Sequence, residues 1–350
     1  MYFDPEPKRR REDFYDYDEL LHEFQESVRN YKITLVTGLR RYGKTSLMLT
    51  GLNELGVNHI FIDCRLLGDK PTLRGFMELI INEMSKDSTL RGILGRFDFL
   101  EVGALGFRLK VKLKVRSALL SIIEGLSNTV LVIDEAQLLR NTNYRFDELL
   151  AYIYDHVNVR VVISGSEVGL LYRFLRLNDP ESPLYGRSIH EIRIKPLPRG
   201  KSMEFLRRGF EQVNVKVNDD VIERAVNELD GVIGWLTMFG YEYTRRGKSL
   251  EEIIHEATLL AASEVNKALE IHGAARARFV AVLESVAMGS STWGSIKRYV
   301  NARLGSINDT ALSNVIKSLM DMGLISKVNG GYVINDPMVK RAVSNGLIKP

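Results

Sequence analysis

Cysteine is nearly absent from this 350-residue chain, and long hydrophobic runs are missing altogether. Its single cysteine, Cys64, excludes intramolecular disulfides and cysteine-clustered metal sites. No segment approaches the roughly 18 consecutive apolar residues that a membrane-spanning helix needs. The first 14 residues lack the apolar core of an export signal. These absences predict a cytoplasmic protein that carries neither disulfides nor membrane spans.

The composition that remains is that of a globular protein, with 45% hydrophobic and 26% charged residues. The length leaves room for two or three domains, each with its own core. Net charge is +4, but residues 275–350 hold ten Lys and Arg against four Asp and Glu, a net +6. Such an asymmetry indicates either an acidic partner for this part or simply a basic, solvated surface.

The strongest chemical signal is the segment GLRRYGKTS, residues 38–46, which lies between an apolar run and a helical pattern. It matches the phosphate-binding P-loop, G-x-x-x-x-G-K-[ST], in which glycines let successive N–H groups turn toward a phosphate at a helix N-terminus. Lys44 is expected to reach the β- and γ-phosphates, and Thr45 to hold Mg²⁺. The predicted nucleotide-binding residues are Gly38, Leu39, Arg40, Arg41, Tyr42, Gly43, Lys44, Thr45 and Ser46.

A second signal is the apolar run at residues 129–133, which is followed directly by Asp134 and Glu135. The run predicts a strand buried on both faces, with its acidic pair at the carboxyl edge, where parallel sheets bind ligands. An acidic pair alone also fits a helix cap. About ninety residues after a P-loop, it predicts that Asp134 holds Mg²⁺ together with Thr45 and that Glu135 is the catalytic base for ATP hydrolysis. The expected ligands are therefore ATP or ADP and Mg²⁺.

Further candidate site residues are predicted only because the chain contains a P-loop. The strand pattern at residues 160–163 is followed by Ser164-Gly-Ser166, where Ser164 is a candidate sensor of the γ-phosphate, Ser164 or Ser166 is a candidate helix N-cap, and the two roles are compatible. Arg187 is a candidate for stabilising charge during phosphoryl transfer. Arg11, Asp13 and Phe14, ahead of the first strand, either contact the nucleotide base or belong to a solvated basic arm.

Apolar and basic residues alternate strictly from Phe107 to Arg116, which predicts a strand with one basic face. The residues at 97–102 and the Gly103–Gly106 turn complete a predicted hairpin. The basic row has two interpretations: a lysine-lined edge that prevents aggregation, or a surface that binds a polyanion such as DNA.

The rest of the chain, from Pro196 onward, is mainly helical. Pro196-Leu-Pro198 ends the sheet pattern, and four helical patterns up to residue 272 predict a lid, with Pro198 and Trp235 as candidate nucleotide contacts, although a buried Trp is also ordinary core. Three helices and a hairpin at residues 275–350 form a winged-helix pattern. We therefore predict an α/β fold, a P-loop NTPase with a three-layer α/β/α parallel sheet (1–196), followed by a helical lid (197–272) and a winged-helix domain (273–350).

Taken together, these motifs resemble the archaeal P-loop ATPases of the STAND group, relatives of the AAA+ and origin-recognition ATPases. The resemblance covers essentially the whole chain and is most specific at the P-loop and at Asp134-Glu135. It implies phosphate and Mg²⁺ roles for Lys44 and Thr45, metal support by Asp134, a catalytic base at Glu135 and an arginine finger or sensor at Arg187. One departure is Ile233, which stands where the family usually has a proline before Gly-Trp. The residues that carry the resemblance are Arg10-Arg-Glu-Asp-Phe-Tyr15, residues 38–46, Val132-Ile-Asp-Glu-Ala-Gln137, Ile163-Ser-Gly-Ser166 and Pro183-Leu-Tyr-Gly-Arg187.

The favoured function is an ATP-binding, slowly hydrolysing molecular switch whose nucleotide state controls how the winged-helix domain is presented. A GTPase is disfavoured because Asn266-Lys-Ala-Leu269 lacks the aspartate of N-K-x-D. The P-loop alone also fits a small-molecule kinase, but Glu135 beside Asp134 favours water as the acceptor. A different class is an ATP-dependent DNA-binding regulator or initiator without sequence specificity, since the presumed recognition helix carries only Lys317 as a basic residue. In a third interpretation the winged helix binds a protein partner or its own ATPase domain.

Overall fold

A computed structural model describes residues 1–97, 100–103, 106–109 and 115–350. The chain forms two compact units. We call residues 8–39 and 44–194 the sheet unit, and residues 1–7, 40–43 and 195–350 the helical unit. The P-loop is therefore divided, because its middle residues Arg40–Gly43 pack with the helical unit.

The sheet unit alternates helices with strands, as expected for a parallel sheet with crossover connections. Its elements in chain order are α1 (Asp18–Asn30), β1 (Ile33–Thr37), α2 (Lys44–Leu55), β2 (His59–Asp63), α3 (Leu73–Lys86), α4 (Ser88–Leu94), β3 (Leu100–Gly103), β4 (Gly106–Leu109), α5 (Val115–Gly125), β5 (Val130–Asp134), α6 (Phe146–His156), β6 (Arg160–Gly165), α7 (Val168–Leu175) and β7 (Ile189–Arg193). Short 3-10 turns lie at Arg11–Asp13, Cys64–Leu67 and Ala136–Asn141.

Five of these strands form one parallel sheet in the order β2-β5-β6-β1-β7. Every residue of β1 and β5 is buried, which accounts for their unbroken apolar runs. In the register, Asp63 is opposite Asp134 and Thr37 is opposite Gly165. The strands therefore end together, and the residues that follow β1, β5 and β6 share one edge. The predicted α/β fold is confirmed.

The hairpin predicted before residue 116 is present, but its second strand is shorter than predicted. Strands β3 and β4 pair antiparallel, with Gly103 opposite Gly106 at the turn. The prediction that the strand continues to Arg116 is wrong, because α5 begins at Val115. The helix prevails there because Ala118, Leu119, Ile122 and Ile123 form one buried helical face. Lys110, Lys112 and Lys114 of the predicted basic row lie outside the described residues.

The helical unit contains two helix-rich parts and a short hairpin. Its elements are α8 (Arg199–Gln212), α9 (Asp219–Leu229), α10 (Ile233–Arg246), α11 (Leu250–Glu270), α12 (Arg276–Ala287), α13 (Trp293–Leu304), α14 (Asp309–Asp321), β8 (Ile325–Val328), β9 (Gly331–Ile334) and α15 (Pro337–Ser344). A 3-10 turn at Gly273–Ala275 leads into α12. Among the described residues, no helix is both long and apolar enough to cross a bilayer.

The last four helices and the hairpin confirm the predicted winged helix. Strands β8 and β9 pair antiparallel around the Asn329-Gly330 turn, and α14 buries Leu312 and Leu319 beside them. The chain N-terminus also belongs to the helical unit, where Phe3 is buried with its ring 4.9 Å from that of Phe210. The boundaries 1–196, 197–272 and 273–350 stay a prediction.

Candidate functional site

The P-loop has the backbone that a phosphate cradle requires. Gly38 and Gly43 adopt φ angles of +149° and +88°, which favour glycine, and a Cβ on Gly38 would lie 3.0 Å from the carbonyl oxygen of Ile194. Within the described part of the chain, the N–H groups of residues 40–43 donate no hydrogen bond. Unpaired N–H groups ahead of a helix N-terminus fit an anionic ligand, so these residues suit the phosphates of a nucleotide.

The Lys44 side chain is buried and folds back onto the loop. Its ammonium donates to the carbonyl oxygens of Gly38, at 2.8 Å, and Leu39, at 2.9 Å. These bonds hold a buried charge inside the loop in place of a phosphate. Ser46, two residues along, accepts a 3.0 Å hydrogen bond from the backbone N–H of Lys8.

Thr45 and Asp134 meet at the shared edge of the sheet, as the motifs predict. The Thr45 hydroxyl donates to Oδ2 of Asp134 at 3.0 Å, and the Ser164 hydroxyl donates to Oδ1. Asp134 is only 1% exposed, so these two bonds are what satisfies its carboxylate. A hydroxyl and a carboxylate are hard oxygen donors of the kind that Mg²⁺ binds alongside nucleotide phosphates.

The pKa values of Asp134 and Glu135 are shifted in opposite directions. Burial, followed by the neighbouring charge of Glu135, raises the pKa of Asp134, although its bonds from Ser164 and Thr45 oppose the shift. Burial acts to raise the pKa of Glu135 as well, but Lys44 and hydrogen bonds from Gln137 and Ser166 outweigh it and lower that pKa. Glu135 is therefore the carboxylate that stays ionised most readily.

Two side chains that the sequence did not assign to the site hold Glu135. Its carboxylate oxygen Oε2 accepts from Nε2 of Gln137 at 2.6 Å and from the hydroxyl of Ser166 at 2.7 Å. The proposed N-cap role of Ser164 or Ser166 is wrong, because Ser164 lies in β6 and α7 begins at Val168 without a side-chain cap. Both hydroxyls instead bind the acidic pair. For the two serines, the only sequence signal was their position at the end of the strand pattern of β6, which pairs with β5.

Arg187 lies in the sheet unit with its guanidinium already paired. Nη2 lies 2.8 Å from Oδ2 of Asp155 on α6, and Nε donates to the Pro183 carbonyl at 2.7 Å. The same guanidinium holds the pKa of Asp155 below its usual range. If Arg187 acts on a nucleotide, this pair must open first, and its role as finger or sensor stays a prediction.

The residues predicted to contact the base have different surroundings. Phe14 is buried in the sheet unit, while Arg11 is exposed and donates to the Phe14 carbonyl at 2.8 Å; Asp13 ends the short 3-10 turn. Pro198 is exposed at the N-cap of α8. All four remain predicted nucleotide contacts.

Within the helical unit, Arg41 is the centre of a partly buried polar cluster. Its guanidinium lies 3.9 Å from the ring centre of Trp235 and makes two hydrogen bonds to Glu264, at 2.9 and 2.7 Å. The Trp235 indole N–H donates to Asp336 at 2.9 Å, and Asp336 caps α15 through the N–H groups of Met338 and Val339. The Trp235 ring is 1% exposed, so it is a core residue of this unit as well as a candidate nucleotide contact.

The neighbours of Arg41 in the P-loop are engaged in the same unit. Arg40 places Nη1 3.7 Å from Glu264. Tyr42 is buried, and this burial, together with Asp336 and Asp230, raises its pKa to about 12. The Arg41 backbone lies in the left-handed region at φ 65°, an arrangement that an ordinary residue adopts only when its surroundings enforce it.

Comparison with known families matches two separate parts of the chain. A family model described as an ATPase domain predominantly from Archaea matches residues 14–239. A second model, the C-terminal winged helix-turn-helix domain of MCM proteins, matches residues 273–334. None of the curated proteins matches the chain.

Among solved structures, a Walker-type ATPase of Pyrococcus abyssi is 34% identical, with a TM-score of 0.84, and the match covers 98% of this chain and 100% of that one. The Aeropyrum pernix ORC1 protein in complex with DNA is 19% identical over 95% of this chain and 93% of its own, with a TM-score of 0.47. The Thermotoga maritima RuvB Holliday junction branch migration motor is 16% identical over 97% and 98%, with a TM-score of 0.46. The last two likenesses are remote.

Proposed function

The chain belongs to the family of ATPase domains found predominantly in Archaea, and we propose that it is an ATP-driven molecular switch whose nucleotide state controls the winged-helix domain. ATP binds at the P-loop with Mg²⁺ and is hydrolysed slowly. The position of Arg41 depends on the bound nucleotide and is passed on to α15. The membership of the STAND group predicted from the sequence is compatible with this proposal.

The observation that carries the proposal is the cluster around Arg41. One residue of the P-loop stacks on Trp235, and the indole N–H of Trp235 binds the residue that caps α15. A ligand shifts a conformational equilibrium only if it interacts differently with the two states. Arg41 provides such a difference, because a phosphate in the loop competes with Glu264 for the same guanidinium.

The hydrogen bonds of this cluster are strong enough to couple the P-loop to α15. Asp336 is partly buried, and desolvation by its surroundings raises its pKa, while bonds from Trp235, Val339 and Met338 and the charge of Arg41 act in the opposite direction. Hydrogen bonds to a charged group contribute about 1.5–3 kcal/mol each. Loss of the indole bond would therefore remove from Asp336 an interaction comparable in size to typical allosteric coupling energies of about 1–3 kcal/mol.

Hydrolysis assigns each residue of the sheet edge a role. The Lys44 ammonium leaves the carbonyls of Gly38 and Leu39 to bind phosphate oxygens, and Thr45 and Asp134 would hold the cation. Bound Mg²⁺ offsets the negative charge of the phosphates. Glu135 orients the attacking water and accepts its proton.

The switch is tested by amide hydrogen exchange of residues 337–344 with ATP, with ADP and without nucleotide. We expect exchange in α15 to differ between these states in the parent protein. Trp235→Phe keeps a buried ring under Arg41 but lacks the indole N–H, so this difference should disappear, and the Kd for ATP should change by no more than the coupling itself, about 5- to 150-fold.

Trp293→Phe is the matched control, because its indole N–H also donates to a side-chain oxygen, Oγ of Ser313, at 3.3 Å. This variant should keep the nucleotide-dependent exchange of α15. Identical exchange in all three nucleotide states of the parent would refute the switch. A full difference retained by Trp235→Phe would refute the route through Asp336.

Duplex DNA binding by the winged helix is the second candidate function. It is favoured by the match of residues 273–334 to a winged helix-turn-helix model and by the net +6 of residues 275–350. Two of the cations suited to phosphate contacts are paired within the domain, Lys297 with Asp309 and Arg303 with Glu284 at 2.8 Å. Binding would therefore be weak and governed by salt.

A titration of duplex DNA in ATP, in ADP and without nucleotide separates the two candidates. If the winged helix binds DNA, affinity should fall steeply with salt, and Arg298→Ala should reduce the slope of log K against log salt by about 1. Affinity that hardly changes between low and moderate salt would contradict phosphate contacts. DNA affinity that is the same with ATP, with ADP and without nucleotide would show that DNA binding is not controlled by the nucleotide switch.

A further inference from the structure

Gln137 is a buried residue that the hydrolytic roles above leave unused. It lies in the 3-10 turn at Ala136–Asn141, two residues beyond Glu135, and is 2% exposed. Its amide nitrogen Nε2 donates to Oε2 of Glu135 at 2.6 Å. The same oxygen accepts from the hydroxyl of Ser166 at 2.7 Å and from its backbone N–H at 3.2 Å. Three donors thus converge on one carboxylate oxygen.

The other end of the Gln137 amide is unsatisfied. Its oxygen Oε1 is buried and has no hydrogen-bond partner among the described residues. A buried acceptor left unpaired costs about 1–3 kcal/mol. Turning the amide over would place this oxygen against the Glu135 carboxylate and remove the donor. The orientation that leaves Oε1 unpaired is therefore the one that serves Glu135.

The backbone beside the amide is adapted to it. A Cβ on Gly165, the last residue of β6, would lie 2.6 Å from Oε1 of Gln137, so only glycine leaves room for the side chain here. Glu135 itself adopts the left-handed conformation, at φ 55°. Such a conformation costs a non-glycine residue about 1–3 kcal/mol and persists where its surroundings enforce it.

The consequence for Glu135 is an asymmetric carboxylate. Oε2 is saturated by Gln137 and Ser166, whereas Oε1 accepts no hydrogen bond from the described residues. A carboxylate fixed through one oxygen presents its other oxygen in a single direction, which is the preorganisation that proton abstraction from an oriented water needs.

We propose that Gln137 is a positioning residue for ATP hydrolysis, which acts with Ser166 to fix the Glu135 carboxylate so that its Oε1 faces the attacking water. This inference rests on the proposed function, in which Glu135 is the base. It adds that the geometry of the base depends on a side chain to which neither motif gives a role in binding nucleotide or cation.

Gln137→Met tests the inference, because methionine has nearly the same length but removes both the donor and the unpaired acceptor. Nucleotide-free protein should unfold at the same temperature as the parent or higher, since the unpaired buried oxygen is gone. The Kd for ATP should stay within about twofold, while kcat should fall by about tenfold to a hundredfold. A purely structural role for Gln137 would lower the unfolding temperature instead.

Ser166 supplies a second pair of variants should Gln137→Met fail to fold. Ser166→Ala removes one donor to Oε2 and should lower kcat, whereas Ser166→Thr keeps the hydroxyl and should recover most of it. In crystals of nucleotide-free Gln137→Met, the Glu135 carboxylate should occupy more than one rotamer. A single unchanged rotamer would count against the proposal.

Two results would overturn the inference while leaving the proposed function intact. One is a parental kcat in both Gln137→Met and Ser166→Ala. The other is a kcat higher than that of the parent, which would mean that these hydrogen bonds slow hydrolysis. A double variant distinguishes a failure of this inference from a failure of the proposed function. Adding Gln137→Met to Glu135→Gln should cause no further loss, because both substitutions act on one carboxylate. Parental turnover in Glu135→Gln alone would instead show that Glu135 is not the base, which is the part of the proposed function on which this inference rests.

Discussion

Glu135→Gln should bind ATP with parental affinity and lose about 10²- to 10⁴-fold in kcat, the range that general base catalysis contributes. The glutamine amide has the shape of the carboxylate but cannot accept a proton from water. Lys44, Thr45 and the loop N–H groups are unchanged, so phosphate binding should persist. Isothermal titration for the Kd and steady-state phosphate release for kcat measure the two quantities separately.

Glu124→Gln provides the control for this substitution. Glu124 lies in the sheet unit, and its carboxylate accepts from the Tyr152 hydroxyl at 2.5 Å, so the same chemical change is made away from the sheet edge. Turnover should be unaffected. Parental turnover in Glu135→Gln would mean that another group activates the water and would remove Glu135 from the mechanism.

The edge of the sheet was predictable because its signals are local. The spacing of a P-loop motif identifies the residues that bind phosphate. An apolar run that ends in two acidic residues indicates a buried strand with those residues at its carboxyl end. Parallel strands end at a common edge, so the meeting of Thr45 with Asp134 at 3.0 Å follows from the two motifs together. The winged-helix pattern was also local, since its helices and turn are consecutive.

The cluster around Arg41 was not predictable from the sequence. Arg41 and Glu264 are 223 residues apart, and Trp235 and Asp336 are 101 apart, with no spacing rule to connect them. Each residue has an ordinary local explanation: a variable P-loop position, a lid tryptophan and a helix-capping aspartate before Pro337. Their joint role appears only when tertiary packing brings them together.

Gln137 and Val115 show two further ways in which sequence patterns are incomplete. The glutamine follows the acidic pair in Asp134-Glu-Ala-Gln137, but nothing in the letters says that its amide turns back onto Glu135, because that depends on the left-handed backbone of Glu135. At Val115 the alternating pattern of a strand overlaps the start of a helical one. The helix prevails because it buries four apolar residues that a continued strand could not place on one face.

Lys44→Ala should abolish measurable ATP binding, raising the Kd by at least about a hundredfold, because the ammonium is the one side-chain cation that the motif directs at the β- and γ-phosphates. The variant also loses the two bonds from Lys44 to the Gly38 and Leu39 carbonyls, so the empty loop should itself become less ordered. Fluorescent ATP titration measures the affinity, and amide exchange of residues 38–46 without nucleotide measures the loop.

Lys32→Ala separates these two effects from the general loss of a lysine. Lys32 also belongs to the sheet unit and donates to a backbone carbonyl, that of Val157, at 2.8 Å, but it precedes β1 rather than α2. It should bind ATP like the parent. If Lys44→Ala still bound ATP with parental affinity, the phosphates would not be held by this loop. The proposed roles of Thr45, Asp134 and Glu135, which all depend on a triphosphate placed there, would then fail together.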